Sequence, residues 1–390
     1  MEFSFSPEDN AYRQQVRNVL ARELIPQWKG FWGWGKTQEE HDFFGCMAKV
    51  WGRLGWLSTG WPTPEGKASS TLMQHLIFVE EVAYHGSPGI DQFGVVILAP
   101  CLILYGSDSQ KQRYLGPISR GETFWCQSFT EPGSGSDLAS LQMKATAVEG
   151  GYVLDGQKVF TTEAHHANHC YVLARTDNTG KKQEGITFFL VNLKNPGVTV
   201  RVLADLTGLA SFNEIFFNQA HVPAADIVGR PGQGWQIATT ALGFERSGIR
   251  RVAVVARLLD ELAAYLHERK ASGEDVPAHH RHALADIAVQ NAASRLFSYS
   301  IGWRQQNNIK LTYEPSITKG FGGETIQRAA VVGMRILGLH GQLNQDSRAT
   351  QLRGRLEYMY RFSVALSIAG GTSEIQRNII ATRGLGLPTK

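Results

Sequence analysis

The spacing of apolar residues changes character twice along the chain. Over residues 6–121 it follows helical periods: "SPEDNAYRQQVRNVLARELIPQW" opens on a capping serine, Ser6, with Pro7 in the first turn, and "TLMQHLIFVEEVAYHG" repeats apolar side chains every three to four positions until Gly86 stops it. Over residues 123–234 short alternating or β-branched runs take over, "YVLDGQKVFTT", "CYVLART", "ITFFLVNL" and "VTVRVL", each broken by Gly, Asn or Pro. From residue 235 the helical period returns in three long segments, the first of which, residues 235–270, reads as one continuous helix. The pattern predicts an α+β chain: an N-terminal helical domain (1–122), a central antiparallel β domain (123–234) and a C-terminal helical domain (235–390). No internal repeat or low-complexity linker interrupts it.

Length and charge narrow the class. A chain of 390 residues exceeds what one small core serves, and a net charge of +4 spread along it lacks the massed basic patch that binds nucleic acid. Cys46, Cys101, Cys126 and Cys170 show neither CxxC spacing nor a compact framework, which points to reduced thiols and a cytoplasmic location. The start, "MEFSFSPEDN", does not read as a signal peptide, and the most apolar stretch, residues 95–105, contains Pro100 and is too short to span a bilayer.

Three motifs attract attention and fail on context. "GFWGWGKT" at residues 30–37 fits the phosphate-loop pattern, yet no aliphatic strand feeds it and two tryptophans crowd it. GxGxxG is absent, so a dinucleotide has no Rossmann site. His165, His166 and His169 beside Cys170 lack zinc-site spacing, and "HHRH" at residues 279–282 reads as a solvated loop, so no metal is expected.

Two stretches carry chemistry. "CQSFTEPGSGSDLASL", residues 126–141, offers the donors Gln127, Ser128, Thr130 and Ser136 and a Pro-Gly-Ser-Gly turn whose amides can face a ligand. "SIAGGTSEIQR", residues 367–377, places two glycines and the capping residues Thr372 and Ser373 at a helix start, a geometry suited to an anion. Together with "GQKVFTT" between them, these stretches closely resemble the acyl-CoA dehydrogenase family, and the likeness runs from "LGWLSTGWP" to "RNIIATRGLGLP".

The resemblance implies a C-terminal four-helix bundle, FAD between the sheet and those helices, and removal of an α-proton by a carboxylate while the β-hydride goes to the flavin. Gln127, Phe129, Thr130 and Ser136 match positions lining flavin or thioester, Phe160 stands where relatives often place Trp against the isoalloxazine, and Thr162 matches a flavin hydrogen-bonding position. Thr372 and Glu374 match residues near the FAD phosphates, and "ILGLHGQ", with Gly338 and Gly341, resembles the turn that closes over the cofactor.

The chain departs from its relatives at two places. Where many carry their base in a Tyr-Glu-Gly-Thr run, this chain reads Ala369, Gly370, Gly371, Thr372. Relatives such as isovaleryl-CoA dehydrogenase project the base from an earlier helix, and "LGFERSGIRR" stands there, which makes Glu245 the candidate. On one continuous helix its neighbours are Ala241, Leu242, Gly248, Ile249 and Val252, an apolar stripe that would raise its pKa, and Gly243 and Gly248 leave room beside it. Arg246 and Arg250 share the adjacent stripe and are candidates to face a substrate phosphate or carboxylate, a surface role being equally open. Secondly, "ERKASGED" keeps Arg269, which in relatives reaches a neighbouring subunit's FAD, but has Ser272 in place of the usual aromatic.

The resemblance therefore implies an FAD-dependent dehydrogenase of acyl-CoA thioesters with an electron-transfer flavoprotein or similar acceptor. It further implies a homo-oligomer or a heterotetramer with an unlike subunit, as in bacterial members acting on pimeloyl-CoA-like or steroid side-chain thioesters. A flavin oxidase or monooxygenase on the same scaffold and a partner subunit with incomplete activity remain open alternatives.

Overall fold

The structure, a computed structural model, describes residues 4–30, 37–67, 69, 71–244 and 247–388. In chain order its helices begin with α1 (Pro7–Glu23), α2 (Gln38–Arg53), α3 (Leu72–His85), α4 (Ala99–Tyr105) and α5 (Asp108–Ser119). Eight strands follow: β1 (Trp125–Ser128), β2 (Lys144–Val148), β3 (Gly151–Thr162), β4 (His169–Arg175), β5 (Ile186–Asn192), β6 (Val198–Leu203), β7 (Phe212–Pro223) and β8 (Ile227–Val228). The chain ends with α6 (Gly234–Phe244), α7 (Ile249–Ala271), α8 (Ala278–Gln306), α9 (Glu314–Leu337), α10 (Arg355–Phe362) and α11 (Ser373–Ile379). These elements sort into two compact units that interleave in sequence, one of residues 34–69 and 88–245, the other of residues 1–33, 70–87 and 246–390.

The first unit is built on one sheet with strand order β6-β7-β3-β2-β4-β5-β8, antiparallel along most of its length. β4 departs from that rule on one side, where β2 meets it in parallel at Lys144 and Arg175, and so does β1. β1 lies parallel to β4, pairing Trp125 with His169 through Ser128 with Val172. Its core holds Cys126, Leu154, Cys170, Val172, Phe189, Ile215 and Phe217, and each large apolar side chain so buried contributes about 1.5–3 kcal/mol. β5 is buried from Ile186 to Val191 without alternation because it is covered on both faces, one of them by α6. α6 approaches so closely that a Cβ on Gly234 would stand 2.7 Å from the Thr187 carbonyl carbon. Gly234→Ala is expected to destabilise this unit by about 1–3 kcal/mol, since backbone must yield, a loss measurable as a lower urea midpoint.

The second unit is helical. α7, α8 and α9 pack on one another around Leu258, Leu262, Ile326, Ala330 and Leu337, α10 and α11 cover α9, and α1 and α3 join α7 and α8. Its first helix corrects one expectation. Residues 235–270 are not a single helix: α6 ends at Phe244 and α7 begins at Ile249, with Gly248 at φ +68° as its cap. A left-handed residue cannot continue an α-helix, so the proposed stripe is divided. Ala241 is buried in the sheet-bearing unit, whereas Ile249 and Val252 are buried against Leu76 in the helical one. Gly248 is a cap rather than a helix-interior cost, and a Cβ there would press on the Thr318 methyl at 3.1 Å.

Candidate active site

In the sheet-bearing unit, six of the expected site positions fall on β1, the loop after it and the end of β3. Gln127 lies half-buried on β1, where the Tyr171 hydroxyl donates to its Oε1 at 3.1 Å. Phe129 is buried, edge-on to Tyr171 and Phe188 at centroid distances of 5.7 and 6.1 Å. Thr130 is half-buried and its carbonyl accepts from the Val159 amide at 2.9 Å, which joins the loop to β3. Ser136 is exposed beyond the Glu131–Ser134 turn, and Thr162 is half-buried opposite Phe212.

Phe160 is the outlier. The pairing of β3 with β7 slips between Lys158 and Thr161, and Phe160 within that bulge adopts φ +56°. Left-handed backbone at a bulky residue costs about 1–2 kcal/mol. The result is an aromatic ring 59% exposed between neighbours, Val159 and Thr161, that are buried. Phe212 braces that exposed ring edge-on at a centroid distance of 6.1 Å.

Buried charge fixes this surface from behind. Asp91, ahead of the π-helical turn Gln92–Leu98, accepts from the Phe93 and Trp125 amides at 3.0 and 2.9 Å and so holds the start of β1. Burial raises its pKa to about 7 against the pull of those amides. At the other end Lys158, fully buried, donates to the Phe129 carbonyl at 3.1 Å and to Glu131 at 2.8 Å. Burial lowers the lysine to about 8, with Glu131 opposing. Asp91, Lys158 and Glu131 were missed in the sequence; the one available signal is a lysine at an inward position of the alternating run "GQKVFTT".

The helical unit holds the remaining described positions. Thr372 caps α11, accepting from the Ile375 amide at 3.2 Å, and Glu374 stands exposed in its first turn. Glu374 is held below the usual carboxylate range by its own amide and the Thr372 hydroxyl. The preceding Gly370 and Gly371 are left-handed, at φ +69° and +89°, and their carbonyls are taken up by Lys319 of α9 and by Gln376. Burial, reinforced by Arg251, lowers Lys319 to about 8. Thr372 and Glu374 line an open cleft of about 440 Å³ with Glu324, Gln327, Arg328 and Ile368. Gly338 ends α9 at φ +56°, and Gly341 is buried where a Cβ would stand 3.2 Å from the Met334 carbonyl.

Arg269 closes α7 but is turned to Glu274 at 2.7 Å and lies over Tyr265. Arg250 is exposed in the first turn of α7. Glu245 and Arg246 lie outside the described residues.

The decoys resolve into structure. Of "GFWGWGKT", residues 31–36 lie outside the described residues, but Thr37 is engaged in a capping box with Glu40, and α1 with a turn precedes, not a strand. His166 stacks on His41 at 4.2 Å and His169 on Trp125 at 4.6 Å. No group of three or more His, Cys, Asp or Glu among the described residues has the arrangement of a metal site. All four cysteines are free. No described helix is long and apolar enough to cross a membrane.

Comparisons with known proteins cover most of the chain. The acyl-CoA dehydrogenase N-terminal, middle and C-terminal domain models match residues 6–122, 126–220 and 232–385. The acyl-CoA dehydrogenase IpdE1 of Mycobacterium tuberculosis is 33% identical over 97% of this chain and 97% of its own. Among solved structures, the ChsE4-ChsE5 complex from Mycobacterium tuberculosis has a TM-score of 0.88 at 28% identity with 100% of both chains covered. The Tcur3481-Tcur3483 steroid ACAD has a TM-score of 0.88 at 26% identity, again with 100% of both chains covered. An exposed, strained aromatic on a sheet and a glycine turn at a capped helix thus occur in a chain that belongs to the acyl-CoA dehydrogenase family, a family of flavin-dependent oxidoreductases.

Proposed function

We propose that this chain converts an acyl-CoA thioester to the 2-enoyl-CoA with FAD as its flavin, Glu245 taking the α-proton. The observation that carries the reading is Phe160, whose strained backbone holds an aromatic face in solvent beside the half-buried polar groups Gln127, Thr130 and Thr162. That surface suits an isoalloxazine ring: apolar support from Phe160, with donors and acceptors at its rim, while Phe129 packs in the interior against Tyr171. In the helical unit, Gly338 and Gly341 after α9 and Thr372 and Glu374 at the start of α11 are proposed as further cofactor contacts on the strength of the family resemblance; Arg269, engaged with Glu274, is a contact only if it exchanges that partner. FAD, when bound, supplies the hydride acceptor. The carboxylate of Glu245 removes the proton, and Ser136, Arg246 and Arg250 are assigned to the thioester and its phosphates.

The acyl group proposed is a bulky one, such as a steroid side chain or ring remnant. Nothing stands within 4 Å of where a Cβ on Gly370 would project, so the wall that carries an acid in many relatives is open here. The steroid ACAD neighbour lends support, and two neighbours are named as assemblies of two chains. An unlike partner subunit is therefore part of the proposal, as are a three-part division at 122/123 and 234/235, a cytoplasmic location in keeping with free thiols, and an electron-transfer flavoprotein as acceptor.

The test is spectroscopic. The purified chain, alone and with candidate partner subunits, is expected to bind FAD and to bleach anaerobically with bulky acyl-CoAs while short straight-chain ones leave it oxidised. Bleaching by short straight-chain thioesters alone would refute the substrate class. A chain that takes up no FAD in any combination would refute the flavin reading.

A further inference from the structure

Resting on that reading, we infer that Lys158 is a positioning residue: with Glu131 it clasps the loop after β1 to the bulge of β3 and sets the spacing of the surface that would receive the flavin. The pair sits in the interior, Lys158 at 0% and Glu131 at 7% exposure. Desolvating two charges costs so much that an apolar pair of similar volume generally serves stability as well. What the ions supply is direction.

Glu131 spends its oxygens on three donors, the amides of Gln142 at 2.6 Å and Met143 at 3.0 Å and the Lys158 ammonium at 2.8 Å. One carboxylate thus draws both ends of the loop, residues 131 and 142–143, to a single point. Lys158 adds the Phe129 carbonyl at 3.1 Å, and the next residue's amide takes the Thr130 carbonyl at 2.9 Å. Two residues beyond Lys158, the same strand turns Phe160 outward. Phe129 and Thr130 on one side and Phe160 on the other are therefore held at a distance that the clasp defines.

Lys158 is fully buried and the oxygens of Glu131 are spent on protein donors, so their influence passes through the residues they hold. A displacement of about 1 Å in such a supporting layer is enough to cost catalysis up to 100-fold.

The test uses the full-length chain. Lys158→Met keeps the stem and removes the charge, Lys158→Arg keeps the charge, and Lys158→Met/Glu131→Gln removes both charges and avoids stranding one. In the flavin-free chain, amide exchange at Gln142, Met143 and Val159 is expected to accelerate at least tenfold in both methionine variants, with Val172 and Phe189 unchanged. In the loaded chain the FAD Kd is expected to rise by about tenfold and the visible band of the flavin to shift, with Lys158→Arg recovering most of both. Wild-type FAD affinity and spectrum in a folded methionine variant would overturn the inference. So would exchange that accelerates throughout the sheet in the single and the double variant alike, since the pair would then be a general strut. If the wild-type chain takes up no FAD, the functional reading fails separately, and the local exchange pattern alone decides the clasp.

Discussion

Glu245→Gln is expected to leave flavin binding and its visible spectrum intact while slowing anaerobic bleaching by a productive acyl-CoA roughly 10³-fold, the middle of the range that a positioned general base contributes. Glutamine keeps the volume and polarity of the side chain but cannot take up a proton at neutral pH, so shape and chemistry separate in one substitution. Glu245 follows directly on α6, whose buried face is Gly234, Ile237, Ala238 and Ala241 and whose first residue is pressed onto β5. The segment leading to the proposed base therefore has a rigid origin in the sheet-bearing unit. A companion variant sharpens the test. Many relatives carry their base at the position of Gly370, where this chain leaves the space around a Cβ empty, though at φ +69°. Glu245→Gln/Gly370→Glu is expected to recover part of the bleaching rate at a backbone cost of about 1–2 kcal/mol. Undiminished bleaching by Glu245→Gln would remove this residue from the proposed reaction.

How much of this was legible in the sequence depends on the range of the interactions concerned. Helix starts were legible where the signal is local: Ser6 accepts from the Asp9 amide at 3.0 Å, as its position before Pro7 implies. The strands at β3 to β6 followed from period and β-branching, as did their antiparallel pairing. The parallel entry of β1 did not, because "WCQS" is too short to have a period and its partner β4 lies more than 40 residues downstream. The break before α7 was hidden for another reason. A single glycine within apolar spacing is as compatible with a helix as with a cap, and only the surroundings of Gly248 decide. Candidate positions on motifs can be named one by one from the resemblance, but the clasp of Lys158 and Glu131 and the anchor at Asp91 depend on which side chains fall inside the sheet, a property of the assembled fold. The bulge at Phe160 belongs to the same group, since nothing in "KVFTT" marks a left-handed residue.

The same non-local physics sets the second large effect, in the helical unit. Glu80 of α3, nearly buried, accepts from Arg13 of α1 at 2.8 Å and from Arg295 and Tyr299 of α8 at 2.5 and 2.7 Å. Its neighbour Glu81 holds Arg13 at 2.5 Å and Arg17 at 2.8 Å. Three helices distant in sequence thus converge on two carboxylates. Glu80→Gln leaves Arg13, 12% exposed, with Glu81 as its one remaining carboxylate beside the Tyr299 hydroxyl at 3.2 Å, and strips Tyr299 of its charged acceptor. Breaking a buried pair from one side costs about 3–5 kcal/mol; with Arg295 39% exposed and able to regain water, about 3 kcal/mol is expected at pH 7. Burial alone would raise the Glu80 pKa, but Arg295, Tyr299 and Arg13 outweigh it and hold the group below the ordinary carboxylate value. The sign of the pH effect follows from that direction. A depressed folded-state pKa stabilises fully above the unfolded value, about 4.3, and the contribution fades as pH falls through the folded value. Urea unfolding of wild type and Glu80→Gln is therefore expected to differ most near neutrality and to converge below about pH 4. A difference that persisted undiminished into acid would mean that packing at this junction, and not the charge on Glu80, ties α1, α3 and α8 together.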